Sequence, residues 1–132
     1  MKPQLKIEQF NHVALPTRRL EESRQFYIDV LGAKLISRPD FNFPGAWLYI
    51  GGIQIHLIED EVAPHPTGII NSRDRHIAFP VPDIDAAEEV LKQRGIPYRR
   101  GGIADRQIPQ LYIQDPDGHT IELGSKYWKI DE

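Results

Sequence analysis

The sequence predicts an α+β fold made of two βαβββ modules, and three observations predict it. The chain repeats itself, the apolar pattern within each copy changes from alternating to helical and back, and turn-forming residues punctuate both copies at matching places. In the repeat, "NHVALPTRRLEESRQFYIDVLGAKLI" lies over "RHIAFPVPDIDAAEEVLKQRGIPYRR". His12 then falls on His76, Val13 on Ile77, Ala14 on Ala78, Leu15 on Phe79 and Pro16 on Pro80. One residue drops out of the helical part of the second copy before Gly32 meets Gly95. "LYI" at Leu48 to Ile50 matches "LYI" at Leu111 to Ile113; after a longer turn in the second copy, "GIQIHL" matches "GHTIEL", which sets His56 on Glu122.

Each element has its own signal. The first in each copy is a strand of alternating character, residues 7–15 and 75–81. A helix follows: Leu20, Tyr27 and Leu31 precede Gly32 in the first copy, while Ile84, Ala87 and Leu91 recur at helical spacing in the second, with Asp83 as N-cap and Gly95 as stop. Three strands complete each copy. Gly51-Gly52 supplies a two-residue hairpin turn between "AWLYI" and "IQIHLIE", and "DPDG" turns the chain between "QLYIQ" and "HTIEL". "DEVAPHPTGIINSRD", rich in Pro, Gly and polar residues, links the copies. The expected organisation is a single domain over residues 1–132, with module 1 at about 7–60 and module 2 at about 74–126.

Bulk properties narrow the function classes. With 132 residues, 40% hydrophobic and 27% charged, the composition is that of a chain able to bury a core. A formal net charge of -3, with only the short pairs Arg18-Arg19 and Arg99-Arg100, offers no phosphate-tracking stripe, so nucleic acid is not an expected partner. Cysteine is absent, which excludes disulfides, thiolate ligands and Cys nucleophiles. No segment reaches the length of a membrane span, and "MKPQLKIEQF" lacks the apolar core of a signal peptide, so no membrane partner and a cytoplasmic location are expected.

Side chains alternate along a strand, so faces can be read in twos. Val13 and Leu15, or Ile77 and Phe79, form the face expected to meet the helix, leaving His12 with Ala14, and His76 with Ala78, on the other. Along the last strand of each copy Ile55 and Leu57 oppose Gln54 and His56, and Ile121 and Leu123 oppose Thr120 and Glu122. A lone imidazole on an apolar strand is ordinarily a hydrogen-bonded core histidine. Four polar residues at repeat-equivalent positions on the uncovered face require more than that. His12, His56, His76 and Glu122 are therefore the expected metal ligands, three imidazoles and a charge-neutralising carboxylate for a divalent ion such as Zn, Ni, Fe, Co or Mn. His119, on the opposite face from Glu122, and His65, in the link, are not expected to ligate.

"NHVAL" and "RHIAF" opening the copies, and "IHLIE" and "DPDGHTIEL" closing them, resemble the vicinal oxygen chelate superfamily over nearly the whole chain. That superfamily includes glyoxalase I, extradiol dioxygenases, methylmalonyl-CoA epimerase and the fosfomycin and bleomycin resistance proteins. The resemblance implies a glyoxalase-like fold of paired modules forming a half-open barrel around a metal, often in a homodimer whose barrels combine modules of two chains. It also implies that Glu122 is a ligand. "RPDFNFPGAWLYIGGIQIHLIE" is similar to a glyoxalase-like group within it. The chain departs from glyoxalase I where His56 replaces a glutamate, and where Pro16 and Asp60 stand in place of an arginine and an asparagine that help to hold glutathione.

The expected function is proton-transfer isomerisation, epimerisation or lyase chemistry, similar to lactoylglutathione lyase, on a small carbonyl substrate. Glu122 or His56 would be the catalytic base and the metal a Lewis acid. One alternative is a non-haem Fe(II) extradiol-type dioxygenase using His12, His76 and Glu122 as a 2-His-1-carboxylate set, with His56 standing back. Another is a non-catalytic small-molecule binding or resistance protein. Trp47, Tyr49, Phe41 and Phe43 are read as core or dimer contacts, and Arg38, Arg73 and Arg75, which flank the predicted site, as solvated surface.

Overall fold

The computed structural model describes residues 1–103 and 108–125; residue 126, the expected end of the second module, lies outside the described residues. The chain divides into two compact units, Met1–Val62 and Ala63–Glu132. In the first, β1 (His12–Thr17) leads to α1 (Leu20–Gln25), a π-helical turn (Phe26–Val30), β2 (Lys34–Ile36), β3 (Gly45–Ile50) and β4 (Ile53–Glu59). In the second, β5 (His76–Pro80) leads to α2 (Ile84–Gln93), β6 (Arg99–Ile103), β7 (Ile108–Gln114) and β8 (Thr120–Gly124). Each unit is thus βαβββ. Its sheet has the order β1-β4-β3-β2 or β5-β8-β7-β6, with the first strand parallel to the last and the other neighbours antiparallel.

The parallel pairs set the faces. Ile55, Leu57 and Leu48 are almost wholly buried on one side of the first sheet, where the helical segment packs on β3 and β4 and buries Tyr27. Leu111, Ile113 and Ile121 are fully buried in the second unit, where α2 packs on β7 and buries Leu91. Each such side chain contributes about 1.5–3 kcal/mol by leaving water.

β1 is shifted relative to the expected strand over 7–15. Its ladder starts where Gln54 N donates to Asn11 O at 3.0 Å, because β4 begins just after the Gly51-Gly52 turn, and Ile7 and Phe10 are exposed. That turn has φ of 58° and 85° at its two glycines, the doubly positive conformation whose twist matches a tight hairpin. The expected cap is in place: Asp83 Oδ1 accepts from the backbone N–H of Asp85 (3.0 Å) and Ala86 (3.1 Å). α1 has no side-chain cap of that type. There, buried Thr17 at the end of β1 shares a 2.8 Å hydrogen bond with buried Ser23 and accepts from Arg19 N.

The extra residue of the first copy coincides with the π-helical turn, whose i→i+5 bonds take one more residue than an α turn. Gly32 (φ 79°) and Gly95 (φ 66°) then end the two helical segments alike. The "LYI" match does not survive. Trp47 stands across from His56 and Tyr112 across from Glu122, so Trp47, not Tyr49, is the register equivalent of Tyr112. The cause is the longer β7–β8 connection: Gln114 pairs with Thr120, whereas Ile50 pairs with Ile53 across two glycines.

In that longer connection Asp115 Oδ1 accepts from the N–H of Asp117 and of His119, both at 2.9 Å. Gly118 (φ 93°) lies against the segment that leads into β5 within the second unit: a Cβ there would stand 2.9 Å from Pro66 Cα and 3.1 Å from His65 O. A Cβ at Gly95 would meet nothing within 4 Å. Gly95→Ala should therefore cost about 1 kcal/mol from backbone strain alone. Gly118→Ala should cost about 2–5 kcal/mol, because the Pro66 backbone must also move. Paired urea titrations measure both; equal losses would contradict the close approach.

Candidate metal centre

Strand register places the predicted residues. In the first unit His12 stands beside Gln54, and His56 lies between Ala14 on β1 and Trp47 on β3. In the second, His76 stands beside Thr120, and Glu122 lies between Ala78 on β5 and Tyr112 on β7. An alanine on one neighbouring strand and an aromatic residue on the other flank His56 and Glu122 alike. The structure brings His12 together with His56 and His76 together with Glu122. Among the described residues, no three His, Asp or Glu side chains form one ligand-holding group.

His76 Nδ1 lies 2.7 Å from Asp74 O, and since a carbonyl only accepts, the ring donates there. Its Nε2 faces Glu122 Oε1 at 3.4 Å. That is long for a charge-assisted hydrogen bond, which runs about 2.7–2.9 Å. Two donors each about 2.0–2.2 Å from a shared ion stand apart by about this much at a tetrahedral angle. An imidazole lone pair and a carboxylate oxygen facing each other need a proton or a cation between them. Beside them, Thr120 Oγ1 is buried and has no hydrogen-bond partner among the described residues.

His12 is held in the same way. Its Nδ1 donates to Asn11 Oδ1 at 2.7 Å, leaving Nε2 as the electron-pair donor, the orientation that anchored metal-binding histidines adopt. His56 is arranged differently. Its Nε2 donates to Gln54 Oε1 at 2.8 Å, so Nδ1 is the free nitrogen. The ring is stacked between His12 (centroids 3.9 Å apart) and Trp47 (4.1 Å). Burial first, then the neighbouring His12 and the Arg38 guanidinium, hold the His56 pKa below its ordinary value of 6.5. The donor set fits a divalent cation: imidazole nitrogens with fixed tautomers, and a carboxylate within reach of one of them.

Sequence reading missed the groups that orient these rings. Asn11 adjoins His12, and Gln54 precedes His56 by two on the same face; alternation gave that signal for Gln54. It also missed Tyr112, whose hydroxyl donates to Gln110 Oε1 at 3.0 Å. Burial, followed by the hydrogen-bonding Glu122 carboxylate and its charge, pushes the Tyr112 phenol upward, so it stays protonated. His65 is exposed, and His119 is held through its backbone by Asp115, neither within the two pairs.

Residues 9–123 match the family model described as the glyoxalase/bleomycin resistance protein/dioxygenase superfamily. The chain belongs to that superfamily. It is 42% identical over 128 residues to Glyoxylase I 4 of Arabidopsis thaliana, covering 90% of this chain and 71% of that protein. It is 30% identical over 120 residues to the metallothiol transferase FosB of Staphylococcus haemolyticus, covering 89% and 83%. Among solved structures, a glyoxalase family protein from Bacillus anthracis superposes with a TM-score of 0.78 at 25% identity, covering 95% of this chain and 100% of the other. The fosfomycin resistance protein FosX of Listeria monocytogenes, solved with Mn(II) and a dihydroxypropylphosphonic acid, shares the fold (TM-score 0.77, 20% identity, covering 92% and 95%). These superfamily relatives support a metal-dependent enzyme, and their names divide over the reaction.

The depressed His56 pKa has a consequence for stability. The unfolded chain takes up a proton at about the ordinary histidine value while the folded chain resists it, so acidification favours unfolding. Stability from this source is level above pH 6.5 and falls below it. In thermal melts of metal-free protein between pH 7.5 and about 5, His56→Gln should remove part of the acid-side decline. A parallel decline in the variant would show that His56 does not contribute.

Proposed function

We propose that the protein is a divalent-metal-dependent enzyme that moves a proton on the carbon next to a pair of substrate oxygens. The products would be those of isomerisation, epimerisation or lyase chemistry on a small carbonyl compound. The observation that carries this reading is the 3.4 Å approach of His76 Nε2 to Glu122 Oε1 with Nδ1 already committed. The repeat-equivalent pair in the other unit supports it.

His12 and His76 would hold the ion through Nε2, Glu122 through its carboxylate, and His56 through Nδ1. When bound, the ion would act as a Lewis acid on the substrate oxygens. Glu122 is the base: a carboxylate oxygen beside the substrate carbon accepts the proton and returns it. The Tyr112 hydroxyl, kept protonated, stands across the strand pair from Glu122, and would donate to a substrate oxygen by turning its one O–H away from Gln110 Oε1. Buried Thr120 Oγ1 offers a second polar contact. Ala14 and Ala78 leave room for the substrate to approach.

One observation favours a second reading. His56 is the imidazole whose Nε2 is tied to a neighbouring side chain, which leaves His12, His76 and Glu122 as a 2-His-1-carboxylate set, as in Fe(II) dioxygenases. Oxygen uptake with a catechol, against turnover of a hemithioacetal under nitrogen, separates the two.

Each unit by itself offers two donors, so a complete site requires both kinds of unit. We take the two units as modules of one domain and the protein as a homodimer, in which the first unit of one copy completes the second unit of the other. Metal analysis of untagged protein should give close to one divalent ion per chain, lost in His12→Ala and in Glu122→Ala. Mixing and refolding equal amounts of these two variants should restore about a quarter of the metal lost, because about half of the dimers are mixed and each mixed dimer rebuilds one of its two sets. Wild type that takes up no metal overturns the metal reading, and no rescue on mixing overturns the shared-site dimer.

A further inference from the structure

The segment before β1 carries a strand pattern that the first unit leaves without a partner. Leu5, Ile7 and Gln9 alternate with Lys6, Glu8 and Phe10, yet the ladder with β4 starts at Asn11, and residues 4–10 lie outside every helix and strand. All of them are exposed, including the apolar Leu5 at 88%, Ile7 at 79% and Phe10 at 65%. The start of β4 explains this. Its first residue is Ile53, directly after the Gly51-Gly52 turn, so β4 ends before it could run beside them. Among the described residues, no backbone hydrogen bond reaches residues 4–10.

The stretch has a boundary at each end. Pro3 has no N–H to give to a ladder, and Asn11 is committed, its carbonyl to Gln54 N and its side chain to His12. Midway between them is Ile7. Antiparallel pairing of this stretch with itself, centred on Ile7, sets Lys6 opposite Glu8 of a second copy and Glu8 opposite the second copy's Lys6, so the same opposite-charge contact is made on both sides of the twofold axis. Leu5 and Ile7 of both copies then share the other face of the strand pair. Moving the centre to Lys6 or to Glu8 sets like charges directly opposite, and so does parallel in-register pairing. Charge and the two boundaries therefore select the same register.

We propose that residues 4–10 form an interface strand that pairs antiparallel with the same residues of a second copy of this chain, with Ile7 on the twofold axis. The occupant is another copy rather than a different protein because the stretch is complementary to itself. Each strand of the pair continues into β1 of its own copy, so the β1–β4 ladder anchors it. The pairing covers apolar strand surface that would otherwise invite non-specific association. It uses none of the candidate metal ligands and stands independently of the functional reading above.

The chain contains no cysteine, so introduced cysteines report contacts cleanly. In the intact chain, oxidised at low protein concentration, Ile7→Cys should cross-link to itself as a disulfide-bonded dimer. Leu5→Cys and Gln9→Cys should each cross-link poorly alone and well when mixed and allowed to exchange, since residue 5 of one copy faces residue 9 of the other. In sedimentation at low ionic strength, Lys6→Glu and Glu8→Lys should each weaken dimerisation about tenfold, and the double reversal should restore it. Restoration is the result that an unrelated surface charge would not give. Wild type that sediments as a monomer, equal cross-linking of the three single-cysteine variants, or a dimer whose affinity ignores the charge reversals overturns the inference. In the last case, full metal content would leave the shared-site dimer standing while removing the arm contact.

Discussion

Everything at the candidate site depends on the parallel pairing of the first strand of each unit with its last. That pairing puts Ala14 opposite His56 and Ala78 opposite Glu122 and brings His12 and His76 onto the same faces two residues away along the strands. Because side chains alternate with a period of two, a slip of one residue in either ladder would bury the polar set under the helix and expose Ile55, Leu57, Ile121 and Leu123. The apolar face thus enforces the polar one. The energy that fixes the register comes from residues that never touch a substrate.

The two units use the same frame for different electrostatics. In the second, an imidazole faces a carboxylate, with a phenol of raised pKa beside it and a buried hydroxyl nearby that has no partner among the described residues. In the first, two imidazoles are stacked face to face, flanked by an indole and, further out, a guanidinium over two phenyl rings. One unit carries a carboxylate beside its imidazole; the other carries two stacked imidazoles and a row of aromatic rings.

Much of this was legible in the sequence. The repeat gave the module, its order and the matched residues, because His12, Ala14 and Pro16 recur at His76, Ala78 and Pro80 and alternation then assigns faces. Asp83, Gly95 and Gly51-Gly52 were readable because caps and tight turns impose local stereochemistry. What was not legible depended on how far a connection reaches. The β7–β8 turn shifts the pairing so that Tyr112, not its apparent counterpart Tyr49, corresponds to Trp47, and no local pattern reports that. The tautomers of His12, His56 and His76 were equally hidden, since they depend on whether Asn11, Gln54 or a carbonyl meets the ring. Arg38 read as ordinary surface because its bond to Phe43 O and its place over the Phe41 and Phe43 rings are facts of three-dimensional placement.

The π-helical turn at Phe26–Val30 shows how the copies have diverged without harm to the sheet beneath them. A surplus residue has been taken up as a local widening of the helix, with Tyr27 still buried and the chain leaving at Gly32 as its counterpart leaves at Gly95. Length changes in the helical segment are thereby absorbed before they reach the strands. Evolution can vary the outer layer of this fold while the chemistry-bearing ladder keeps its phase.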